Sequence, residues 1–101
     1  MKELVQVFRA LGDPTRQRML AVLEKAGELC VSEVARHFAM TQPSISHHLR
    51  ILREAGLLTA HKRGKEVYYA INAEELSRCC GVFFAGFACC RPMLRAARGK
   101  P

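Results

Sequence analysis

A chain of 101 residues bounds one small domain, near the size at which burying enough apolar surface unaided is difficult, so a partner subunit is expected to add stability. Its 16 Lys and Arg against 9 Asp and Glu give a formal charge of +7, which points to a polyanionic partner, nucleic acid or an anionic membrane face. The absence of a leader-like apolar run at the start, or of about 18 consecutive apolar residues anywhere, argues against a membrane span and for a soluble, cytoplasmic protein.

Five cysteines are an odd number without a secretory signal, so free thiols in a reducing compartment are a better reading than a disulfide framework. Soft-metal binding and redox sensing follow as the chemistries to test. No nucleophile, base and oxyanion-donor constellation appears, which disfavours an enzyme.

The first predicted helix covers residues 3 to 11, with Leu4, Val7, Phe8 and Leu11 at helical spacing and Gly12 as its stop. Asp13 is a natural N-cap with Pro14 at the first helical position; Met19, Leu20, Val22 and Leu23 then form an apolar face up to Ala26-Gly27. A short third helix fits V-S-E-V-A-R-H-F, with Ser32 as N-cap and Val34, Ala35 and Phe38 on one side. Ala39-Met40 turns into a fourth helix, capped by Thr41, with Pro43 in its first turn and Gly56 at its end.

Ile45, Leu49 and Leu52 form the buried stripe of that fourth helix. The opposite face carries Gln42, Ser44, Ser46, His47 and Arg50, with no acid before Glu54, and suits phosphates and base edges. L-L-T-A-H-K-R-G-K-E-V-Y-Y-A-I reads as two short strands around Arg63-Gly64-Lys65, and the cationic Lys62, Arg63 and Lys65 suit a DNA backbone. A last helix is predicted through Leu76, Cys80, Phe83, Phe87 and Cys90, ending before Pro92, with a mobile basic tail beyond.

Short helix, turn, polar-faced helix and basic hairpin is the order of a winged helix-turn-helix. The stretches A-L-G-D-P-T-R-Q-R-M-L, T-Q-P-S-I-S-H-H-L-R-I-L-R-E-A-G-L-L and R-G-K-E-V-Y-Y-A-I resemble the ArsR/SmtB family of bacterial repressors over residues 5 to 78. The resemblance implies a mainly α fold with a small β-hairpin wing, dimerising through its first and last helices. It divides the single domain into a helix-turn-helix (31–56), a wing (57–71), a dimerisation and sensor helix (74–91) and a basic tail (92–101). It also implies that residues 41 to 55 enter the major groove of double-stranded operator DNA. Carried onto this chain, Gln42, Ser44, Ser46 and His47 match base- or phosphate-contacting positions. The operator of a two-fold dimer is an inverted repeat with half-sites about one helical turn apart.

Different members of the family sense different effectors. The arsenic pattern Cys-Val-Cys is met here only by Cys30, because Ser32 replaces its second thiol and Ala35 a further cysteine. Cys30 is therefore either a small buried residue at a helix start or half of a redox pair. The zinc pattern of the last helix needs Asp, His and Glu, but no His follows His61.

Cys79, Cys80, Cys89 and Cys90 stand in that last helix instead. On one straight helix the eleven residues from Cys79 to Cys90 span about 16 Å and return to within about 20° of the same face, too far for one ion within a chain. Antiparallel pairing of two last helices, as the resemblance implies, centres at Phe84-Ala85 and brings Cys79 and Cys80 of one chain toward Cys89 and Cys90 of the other. A break at Gly86 that folds the pairs together within one chain is the alternative.

Three or four thiolates without imidazole or carboxylate favour thiophilic ions. Arsenic(III) or antimony(III) as inducer is the first reading, and release of the operator is the expected response. A methylated or aryl arsenical on a vicinal pair, or zinc, cadmium or mercury, stays open, as does thiol redox or persulfide sensing, with Arg78 and Arg91 placed to lower thiol pKa values. A ligand-independent DNA-binding protein with structural cysteines is the reading from another class.

Overall fold

The structure, a computed structural model, describes residues 3–93. Helix α1 (Leu4–Leu11) stops at Gly12, and the following helix caps its free carbonyls. Arg16 Nε donates to Ala10 O at 2.7 Å, Arg16 Nη2 to Arg9 O at 3.1 Å and Gln17 Nε2 to Leu11 O at 2.6 Å. Those bonds satisfy acceptors that a helix end leaves open. Val7 and Ala10 form the buried side of α1, so its stripe includes an alanine the hydrophobic pattern passed over.

Helix α2 (Pro14–Ala26) begins as expected, with the Asp13 carboxylate accepting Arg16 N at 3.0 Å and Pro14 in the first turn. It ends at Gly27, whose φ of 91° is open to glycine without a Cβ penalty. Strand β1 (Leu29–Cys30) comes next, an element absent from the sequence reading. Two residues are too few to show a period, and only pairing with a distant strand defines them.

The third helix, α3 (Val31–Ala35), is shorter than expected and its N-cap is Cys30 rather than Ser32. Cys30 N donates to Glu33 Oε1 at 3.0 Å while the sulfur receives the Glu33 N–H, a reciprocal capping box. Pairing of β1 fixes residue 30 in extended geometry, which leaves Ser32 inside the first turn.

Helix α4 (Gln42–Glu54) follows, with Thr41 Oγ1 accepting Ser44 N at 3.3 Å. Strands β2 (Leu58–Arg63) and β3 (Glu66–Ile71) form a hairpin from Leu58↔Ile71 to Arg63↔Glu66, turning through Gly64-Lys65 with Gly64 at φ 62°. β1 pairs antiparallel with β3, giving the order β1-β3-β2. α3, its turn, α4 and this hairpin form a winged helix-turn-helix. Val7, Met19, Leu23, Val34, Ile45, Leu49, Leu52 and Leu57, each at most 1% exposed, make the core that fixes α4 against α1, α2 and α3.

Helix α5 (Ala73–Ala85) is capped by Asn72, whose Oδ1 accepts Glu75 N at 3.2 Å. The single helix expected over 74–91 is not continuous. Gly86 N bonds Phe83 O at 3.1 Å and Phe87 N bonds Phe84 O at 3.0 Å, tightening the last turn, and Phe87 is extended. A short 3₁₀ turn at Ala88–Cys90 follows. Gly86 costs a continuing helix about 1 kcal/mol relative to alanine, and Arg91 Nε caps Ala85 O at 3.1 Å.

Pro92, read as a stop, lies in a further helical turn at 91–93, where its missing N–H is tolerated. The cysteine that enters the core from α5 is Cys79 rather than the expected Cys80. Cys79 is buried and Leu76 packs against the core, while Phe83 stays exposed and meets Phe8 of α1 edge-on at 4.8 Å. Residues 94–101 of the expected mobile basic tail lie outside the described residues.

Candidate nucleic-acid interface and thiol site

Burying Ile45, Leu49 and Leu52 turns the opposite face of α4 outward. Gln42, Ser44, His47 and Arg50 are exposed there, while Ser46 is half-buried. Arg50 Nη2 lies 3.2 Å from His47 Nδ1. Guanidinium has only donors, so Nδ1 accepts and Nε2 keeps the proton, an N–H donor suited to a phosphate or a purine edge.

His48, on the inner flank of α4, has a different task. Its Nδ1 lies 3.2 Å from Arg16 Nη1, so the arginine that caps α1 also braces α4.

The wing cations are unequal. Lys62 and Lys65 are exposed, and neither forms an ion pair with a described residue. Arg63 is also exposed, but its Nη2 forms an ion pair with Glu28 Oε1 and its guanidinium covers the Tyr68 ring at 4.2 Å. His61 Nε2 is 3.5 Å from the second Glu28 oxygen, and its ring stacks toward Tyr68 at 6.3 Å. Glu28 was missed in the sequence because its partners lie 33 and 35 positions away across a sheet that includes the unpredicted β1.

The thiols fall into three environments. Cys30 is 4% exposed and occupied as a helix cap, with its Sγ 3.3 Å from Ser32 Oγ. Cys79 is 1% exposed in the core; its thiol donates to Glu75 Oε2 at 3.5 Å and lies 3.7 Å from Arg78 Nη2. Cys80 is half-buried on the next face, while Cys89 and Cys90 stand beyond the helix break, exposed and half-buried, with sulfurs 3.8 Å apart.

Burial, then the hydrogen bond and charge of Glu75, push the Cys79 thiol above the usual range and outweigh Arg78. Burial also raises Cys80, and the hydrogen bond with Cys89 raises Cys90. The expected lowering of thiol pKa by Arg78 and Arg91 is thus not found. Arg78 is bound to Glu75, and Arg91 to the Ala85 carbonyl. Among the described residues no three His, Cys, Asp or Glu side chains of one chain gather as a metal-binding group, so the break at Gly86 does not bring the two cysteine pairs together. Nor is any helix among them long and apolar enough to cross a membrane.

The family model "Bacterial regulatory protein, arsR family" matches residues 13–60, from the α2 cap into β2. The transcriptional repressor SdpR of Bacillus subtilis is 43% identical over 70 residues, 69% of this chain and 77% of that protein. The arsenic resistance transcriptional regulator ArsR1 of Pseudomonas putida is 46% identical over 68 residues, 67% of this chain but only 53% of its own length. Among solved structures, an ArsR-like transcriptional regulator from Rhodococcus sp. RHA1 superposes with a TM-score of 0.76 at 29% identity, over 94% of this chain and 89% of that one. A homodimeric winged helix-turn-helix DNA-binding domain from Mycobacterium bovis gives 0.68 at 29%, covering 78% and 72%. The AntR antimony-specific transcriptional repressor gives 0.64 at 25%, covering 95% and 80%. With the capped recognition helix and three-stranded wing in place, these likenesses make the chain a member of the arsR family of bacterial transcriptional regulators.

Proposed function

We propose that this protein is a cytoplasmic, homodimeric repressor that holds an inverted-repeat operator and leaves it when arsenic(III) or antimony(III) binds its C-terminal thiols. The observation that carries the effector reading is the pair Cys89 and Cys90, two soft donors 3.8 Å apart on a short turn outside the core. ArsR1 and AntR, relatives named for arsenic resistance and antimony, support the same effector class.

Dimerisation rests on one apolar face. Val5 of α1, Val82 and Phe83 of α5, and Phe87 and Met93 beyond the break are exposed, between 38% and 60%. Packing those residues against a second copy, in a homodimer such as the M. bovis domain is described to be, would set the two α4 helices for successive major grooves. Gln42, Ser44, His47 and Arg50 then address the groove, Lys62 and Lys65 the backbone.

The donor set narrows from four cysteines to three. Cys79 is enclosed in the core with its proton held by Glu75, which favours Cys80, Cys89 and Cys90 as the thiolate donors, Cys80 coming from the opposite subunit in an antiparallel pairing of the last helices. Burial raises the Cys80 thiol, and the hydrogen bond with Cys89 raises Cys90, so a bound effector must displace their protons. Release follows as a population shift: the effector binds one dimer geometry better than the other, and that geometry separates the α4 helices from the groove spacing.

The double variant C89S/C90S tests this reading. It is expected to hold upstream DNA like the parent protein and to stay bound when arsenite is added. Release equal to that of the parent protein would refute the site.

A further inference from the structure

Arg63 has the position of a phosphate-binding wing residue, yet its charge is already taken. We propose that Glu28 is an internal substitute for a DNA phosphate, holding Arg63 back from the backbone and thereby setting how strongly the protein binds DNA of any sequence. The inference rests on the DNA-binding reading above.

Four side chains on one face of the sheet build this arrangement. In the antiparallel register Leu29 faces Tyr69, Tyr68 faces His61 and Glu66 faces Arg63, so the alternation of strand side chains puts Glu28, Tyr68, His61 and Arg63 together. The Glu28 carboxylate offers one oxygen to Arg63 and the other to His61 Nε2 at 3.5 Å. Tyr68 lies beneath both side chains, with the Arg63 guanidinium 4.2 Å from its ring centroid.

A carboxylate meets a guanidinium with the same paired oxygens that a phosphate would offer. Glu66, the direct cross-strand neighbour of Arg63, forms no ion pair with it, so the arginine reaches across the Tyr68 ring to Glu28 instead. The pair remains open to solvent, with side chains 53% and 36% exposed, and a DNA strand can compete for it. Among the described residues Lys62 and Lys65 have no such internal anion. The wing therefore combines free cations, which bind phosphate at once, with one cation whose use requires breaking an internal pair.

Operator binding by the parent protein, E28Q and E28Q/R63A, measured over a salt series on operator and on unrelated duplex, tests this. Glutamine keeps the shape of Glu28 and removes its charge. E28Q is expected to bind both DNAs more tightly and to steepen the dependence of log affinity on log salt by about 0.9, the value of one added phosphate contact. Its advantage over the parent protein then shrinks about threefold between 50 and 200 mM salt. In E28Q/R63A the added slope is expected to vanish, because Arg63 is its source.

An unchanged slope in E28Q overturns the proposal, as does an added slope that survives in E28Q/R63A. A loss of affinity in E28Q also overturns it, and would make Glu28 a support that positions the wing. Failure of the parent protein to bind any duplex would sink both this inference and the repressor reading, whereas normal parent binding with an unresponsive E28Q sinks this inference alone.

Discussion

Cys79 sits in the core with its proton turned to Glu75, while Cys80, one position on, is half-buried beside the apolar face of α5. The doublet looked like one unit in the sequence, because helical periodicity identified the stripe but placed it on Cys80. Contact with the core decides the matter, and it favours Cys79. The raised Cys79 pKa also has a sign that can be followed. Above the ordinary thiol range the unfolded chain gives up a proton that the folded chain keeps, so stability is constant below that range and falls as pH rises through it. C79A is expected to lose about 1 kcal/mol near neutrality through the small cavity it leaves, to lessen the alkaline decline in denaturant unfolding, and to keep full release by arsenite. Loss of release in stable, folded C79A would return Cys79 to the donor set.

Among single residues, caps were the most legible. Asp13, Thr41 and the glycines at 12, 27 and 56 announced helix limits through chemistry that acts over three or four residues. Cys30 and Glu28 were not legible in their roles. The cap at Cys30 depends on β1 pairing with β3, and the Glu28 cluster depends on the same sheet, so both were hidden until distant segments met.

At the scale of elements, α4 and the wing could be read from pattern because each carries its own period and turn chemistry. The last helix could not be read to its end. Apolar periodicity runs on from Leu76 through Cys90, but Gly86 ends α5 and the chain resumes in a 3₁₀ turn. Gly86 has φ −71° and ψ −9°, angles open to alanine, and an added Cβ would lie 3.3 Å from Phe83 O. G86A should therefore extend α5 toward the cysteine pair at a helix-propensity gain of up to about 1 kcal/mol, offset in part by that contact. Far-UV circular dichroism should show added helix, and arsenite should become about tenfold less effective, equivalent to about 1.4 kcal/mol, with operator affinity preserved. More helix with an undiminished response would show that the break does not serve the site.

Across the whole molecule, one network links the two ends of the proposed mechanism. Phe83 of α5 packs on Phe8 of α1, the α1 carbonyls are held by Arg16, and Arg16 braces His48 of α4. A shift of the subunits about α1 and α5 thus has a packed route to the recognition helices, although only an effector that discriminates between two geometries can drive it. In the proposed mechanism the net charge of +7 supplies affinity for any duplex, and the polar face of α4 the choice of site.

The most direct measurement is fluorescence anisotropy of the fully reduced protein on its own upstream DNA, titrated with arsenite in the strict absence of oxidant. The account predicts tight binding that weakens steeply with salt and full release near one arsenite per thiol cluster. Intact DNA binding with no release at that ratio would contradict metalloid sensing by the C-terminal thiols.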